Sequence, residues 1–167
     1  LAQTMKAVRR EKTAEWNALA AEIRPDIEAE VDAMPDVAAI QFLRNNGQGL
    51  GREFVVAMLG NEAGIALLPR GTGRGPVVRL NGLHPDVVAE AAGYPSGVAM
   101  LNGLMDMQAE KVAAKSRGID GSVRSTRIND RIRETLLDRY GDILNDGTIA
   151  EEALAALHNE KQGEVNQ

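Results

Sequence analysis

Apolar side chains recur every four residues at Ile128, Ile132, Leu136 and Tyr140, and Ile143 continues the series. A spacing of three and four stacks side chains on one face of an α-helix, whereas a half-buried strand alternates. The same spacing returns at Ile23, Ile27 and Val31 near the start and at Ile149, Ala153 and Leu157 near the end. The chain therefore reads as a set of helices. Composition points the same way, because aromatic residues, which strands favour, make up only 3% of the 167 residues. Alanine and straight-chain charged residues abound instead, and these lose least on entering a helix. The fold class expected is mainly α, a multi-helix array with a long N-terminal helix kinked near Pro25 and little or no β.

Helix punctuation sets the boundaries. Ala2 to about Met34 reads as one long, polar helix, with Pro25 expected to kink or split it near Arg24, since proline lacks a backbone donor and crowds the preceding turn. Pro35 and Asp36 open a short helix through Val37, Ile40 and Leu43, which Asn45, Asn46 and Gly47 end, leaving Gly47 to Gly51 as a loop. Phe54 to Leu59 and Ala63 to Leu68 read as short helices. The stretch from Pro69 to Gly82 reads as an exposed connection or hairpin around the one candidate strand, Val77 to Leu80.

Pro85 starts a helix that Gly93 stops, and Ser96 caps a further helix that turns Met100, Leu101, Leu104 and Met105 inward. Thr148 and Glu151 form a capping box for the last helix, with fraying expected after Lys161. The segments expected are 1–46, a long polar helix and a short one; 47–82, short helices and Gly-rich loops; 83–161, a helical corner and two C-terminal helices; and 162–167, a frayed tail.

Charge is segregated. Between Glu11 and Asp36 eight acidic residues face two basic ones, while Lys111 to Arg133 holds seven basic residues (Lys111, Lys115, Arg117, Arg124, Arg127, Arg131, Arg133) against two acidic ones. Blocks of opposite sign attract within a molecule or between copies. The formal charge of −5 disfavours general binding to nucleic acid or anionic lipid, so either would need a local patch. Two segments offer one. Arg70, Arg74 and Arg79, interleaved with Gly71, Gly73 and Gly75, present guanidinium groups and backbone amides to an anion, although the loop lacks the Gly-Lys-Ser/Thr of a phosphate loop and reads first as mobile and solvated. The stretch from Lys111 to Arg133 is the other. It carries no aromatic residue for base stacking.

Catalytic and metal chemistry find little support. The chain has no cysteine, and its two histidines, His84 and His158, stand apart from any nucleophile motif. His84 reads as a helix-start residue, His158 as a solvated one near a helix end. Asp86 to Leu104 has the outline of a helix-turn-helix, but its second helix from Ser96 to Met107 has no Arg or Lys and suits packing. No catalytic, cofactor or metal residue and no small-molecule substrate is assigned. No apolar stretch approaches the roughly 20 residues of a membrane-spanning helix, and a chain starting at Leu1 reads as an internal or processed piece.

Four stretches carry a resemblance. The run RYGDILNDGTIAEEALAALHNE from Arg139 to Glu160 resembles a segment of the very large internal virion proteins of tailed bacteriophages. LHPDVVAEAAGYPSGVAML from Leu83 to Leu101 resembles the corner before that segment. FLRNN from Phe42 to Asn46 and LLPRG from Leu67 to Gly71 resemble its upstream part. Together they are spread through residues 35 to 161. The resemblance implies a helical part of a long chain that is held in the virion and ejected into the host with the genome. It implies partners among other virion proteins or other copies of the chain. Such chains often carry separate peptidoglycan-cleaving domains, but the resemblance transfers no functional residue here, and the Gly and Arg loop at 71–79 departs from it. The alternative is a nucleic-acid-associated module, touching phage DNA through Lys111 to Arg133 and the Arg70 to Arg79 loop, or an accessory domain of a larger phage enzyme. Double charge reversal of Arg127 and Arg131 is the sequence-based way to separate DNA contact from assembly.

Overall fold

The computed structural model describes residues 1–145 and 147–165 and is mainly helical, as the spacing requires. Seven α-helices occur among these residues: α1 (Ala2–Asp32), α2 (Pro35–Asn46), α3 (Arg52–Leu59), α4 (Pro85–Ala92), α5 (Gly97–Ser116), α6 (Val123–Tyr140) and α7 (Thr148–Val165). A 3-10 helix at Ala63–Leu67 and two strands of two residues each, β1 (Leu50–Gly51) and β2 (Val78–Arg79), complete the set. The chain forms two compact units, residues 29–127 and residues 1–28 with 128–167, which cut across the segments read along the sequence.

In the unit of residues 29–127, α2, α4 and α5 pack on one another. Pro35 supplies the first turn of α2, and Gly47 ends it in the left-handed region at φ 62°, its N–H reaching the carbonyl of Arg44. The core is aliphatic: Leu43, Leu50, Leu68, Met100, Leu101 and Leu104 are fully buried. Each such side chain contributes about 2 kcal/mol through the water it sheds. The corner from α4 to α5 is held by side-chain caps. His84 Nδ1 accepts from the N–H of Asp86 at 3.0 Å, Asp86 accepts from the N–H of Gly97 at 2.8 Å, and Ser96 Oγ accepts from the N–H of Ala99 at 3.1 Å. The helix that a helix-turn-helix would insert into DNA buries Met100, Leu101 and Leu104 instead.

Two expectations are corrected in this unit. Leu50 and Gly51, assigned to a loop by the sequence, form a parallel pair with Val78 and Arg79, so β2 finds its partner far upstream. The approach is close enough that a Cβ on Gly82 would strike the carbonyl of Gly49 and the backbone of Leu50, which only glycine avoids. The loop at 70–77 is also tied down. Its ends bond through the Val77 N–H and the Arg70 carbonyl at 2.9 Å, and Thr72, itself buried, donates its N–H to the Gly75 carbonyl at 2.9 Å.

In the unit of residues 1–28 and 128–167, Val8 of α1 packs with Ile149 and Ala153 of α7, joined by Met5 and Leu144. Ile27, Ile128, Ile132 and Leu136 are buried as their spacing demands. The apolar series stops there: Gly141 adopts φ 73° and ends α6 at Tyr140, which is about half exposed, so Ile143 lies beyond the helix. The long α1 is present as expected, with one correction. It runs unbroken through Pro25, so the split expected near Arg24 is absent. A proline costs one intrahelical bond, and the packing of an apolar face such as that of Ile27, which is buried, is what sustains a helix through it. α7 starts at Thr148 and continues past Lys161 to Val165, so the tail expected at 162–167 is helical over its first part, and residues 166 and 167 lie outside the described residues.

A basic groove as the candidate site

Within the unit of residues 29–127, the two basic segments of the sequence meet. The face of α2 that carries Val37, Ile40, Gln41 and Arg44 lies across a groove of about 620 Å³ from the face of α5 that carries Met107, Gln108, Lys111, Val112 and Lys115. Ser122 and the first turn of α6, with Val123 and Arg124, and the loop from Pro69 to Gly73 complete the lining. Helical repeat explains the convergence, since 37, 40, 41 and 44 share one face of a helix and 107, 108, 111, 112 and 115 share one face of another.

Five cations line this groove, Arg44, Arg70, Lys111, Lys115 and Arg124, and no carboxylate does. Arg124 already holds one from its edge. Its Nε and Nη2 grip the two oxygens of Asp32 at 2.6 and 3.1 Å, and Gln41 donates to the same carboxylate at 2.9 Å. That guanidinium holds the Asp32 carboxyl below its ordinary pKa, against the opposing effect of burial. Arg44, Arg70, Lys111 and Lys115 are exposed and have no carboxylate partner among the described residues.

The remaining cations singled out by the sequence have other work. Arg74 donates to the carbonyls of Arg44 and Asn45 at 3.1 and 3.4 Å, closing the open end of α2. Arg79 donates to the carbonyls of Pro76, Gly47 and Arg74, the shortest at 2.8 Å. Both therefore brace backbone, Arg74 at the end of α2 and Arg79 between Gly47 and the Gly-rich loop. Arg127 is gripped on two sides: by both oxygens of Asp36 at 2.8 and 2.7 Å and by Glu110 at 2.9 Å, which raises its pKa further. Arg117 is exposed beyond the end of α5. Arg131 and Arg133 belong to the other unit, where Arg133 meets Asp130 at 3.0 Å.

Sequence reasoning missed Arg44, Gln41 and Gln108. The signal was present for Arg44, which stands seven residues after Val37 on the same helix face. Its loop neighbour Arg70 was named only as part of a glycine-rich stretch. The segregated charge blocks do attract within the molecule, and their contacts include Asp32 with Arg124 and Asp36 with Arg127. Arg127 reversal is thus a poor probe of DNA contact, because it would break a half-buried pair as well; Lys111 and Lys115 are the residues to reverse.

Elsewhere Tyr94 lies over Gly103 of α5, and burial, aided by the nearby Asp36 charge, pushes its phenol up to about 12. No group of three or more His, Cys, Asp or Glu that could hold a metal ion occurs among the described residues, and no helix among them is long and apolar enough to cross a membrane. No family model, curated protein or solved structure matches this chain.

Proposed function

We propose that this chain is a non-enzymatic helical packing module of a phage internal virion, or ejection, protein, docking other virion proteins or other copies of itself during genome delivery. The observation that carries the packing role is the groove: four cations without carboxylate partners among the described residues surround apolar side chains from α2, α5 and α6. Charge at a rim and aliphatic surface within it are what a docking face needs, the first for orientation and the second for affinity. The virion setting is supported by the resemblance of Arg139 to Glu160 and Leu83 to Leu101 to internal virion proteins.

The setting is tested by mass spectrometry of purified particles before and after genome ejection. Peptides from residues 1–167 are expected in full particles and missing from emptied ones. Their absence from particles of both kinds would overturn the virion reading and leave the groove to be explained by a role in the host cell.

A further inference from the structure

The groove has a counterpart on the same chain. On α1, Glu11, Glu15, Glu22 and Asp26 are exposed and stand at i, i+4, i+11 and i+15, which places all four on one face of the helix. Glu15 is partly engaged by Lys12 at 3.3 Å, whereas Glu22 and Asp26 have no cationic partner among the described residues.

We propose that the groove of one copy receives the α1 acidic stripe of a second copy, with Glu22 and Asp26 meeting Lys111 and Lys115. This rests on the reading of the chain as a packing module and needs nothing from the virion setting. The spacing matches, because each pair is four residues apart on a helix and so rises about 6 Å along its axis. Two helices laid side by side bring both contacts into register together. The chemistry has a precedent at the edge of the groove: Asp32, the last residue of α1, is held by Arg124 and Gln41, which line it. Leu19 and the small Ala18, on the same face of α1 as the acids, would bring apolar surface to the aliphatic lining.

An acidic helix fits this surface better than a nucleic acid does. No aromatic ring lines the groove to stack on a base, and Met107, Val112 and Val123 offer a phosphate backbone nothing. Groove and stripe are different surfaces, so a reciprocal pair of copies uses both contacts at once, and a one-sided contact leaves one surface of each kind to continue a ring or a filament. Exposed pairs are individually weak and screened by salt, so association should be modest and ionic.

Sedimentation velocity of the intact chain at about 50 and 500 mM salt, which brackets strong and weak screening, tests this. The wild-type chain is expected to associate at low salt and to dissociate at high salt. K111E/K115E and E22K/D26K should each weaken association by about tenfold, since each reverses two contacting charges. Both variants alter exposed residues and should keep the wild-type circular dichroism. Mixing the two variants should restore a complex, because the unaltered groove of one accepts the unaltered stripe of the other. A wild-type chain that stays monomeric at low salt, or association that neither variant weakens, would overturn the proposal. So would a monomeric chain that binds a single-stranded oligonucleotide and loses it in K111E/K115E, which would assign the groove to nucleic acid.

Discussion

Arg127 shows how single side chains decide which cations remain available. Its guanidinium joins three parts of the 29–127 unit at once, through Asp36 at the start of α2 and Glu110 on α5. Asp36 is also committed locally, accepting from the N–H of Val37 at 2.8 Å in the first turn, where a negative charge suits the helix dipole. Its side chain is only 13% exposed and that of Arg127 19%, so neither can turn to water if the other is lost. R127M should therefore cost about 3 kcal/mol in urea unfolding, because it leaves a largely buried carboxylate without its cation. A loss within about 0.5 kcal/mol, the usual range for a surface change, would show that Asp36 finds water or another donor. K111E/K115E makes the contrast: those lysines hold no carboxylate among the described residues, and their reversal should move association and leave stability nearly unchanged.

At the scale of elements, α1 is the place where a local rule yields to packing. Proline at position 25 removes the N–H that would reach the carbonyl of Ala21, yet the helix passes through it. P25A should restore that bond and stabilise the chain by about 2 kcal/mol in thermal unfolding, part of the gain being offset by the freer unfolded chain. An unchanged or lowered midpoint would mean that Pro25 fits a packed or bent site that alanine cannot fill. Most element boundaries were legible because they are written in capping residues: Pro35 and Gly47 for α2, Pro85 and Gly93 for α4, Ser96 for α5. The pairing of β1 with β2 was not, since two residues carry no alternation and the contact depends on backbone approach at Gly82. The site was half legible. Lys111 and Lys115 stood out as charge, and Arg70 as part of a loop, but nothing in one dimension joined them to Arg44 or told Arg74 and Arg79 that they would turn to carbonyls.

At the scale of the whole molecule, the charge blocks divide into a portion consumed internally and a portion left outward. Asp32 and Asp36 neutralise Arg124 and Arg127, which leaves Lys111, Lys115, Arg44 and Arg70 around one groove and Glu22 and Asp26 on one helix face. A chain of net charge −5 then presents two separate surfaces of opposite sign, the arrangement that favours oriented contact between copies over general attraction to polyanions. The most direct test joins the two surfaces covalently. Equal amounts of chain labelled with nitrogen-14 and nitrogen-15 are mixed at low salt and treated with a carbodiimide, which links an amine to a carboxylate only when they touch. The account expects mixed-label cross-links from Lys111 or Lys115 to Glu22 or Asp26, abolished by high salt. Cross-links at these lysines confined to a single label, or mixed-label links that avoid the groove, would contradict it.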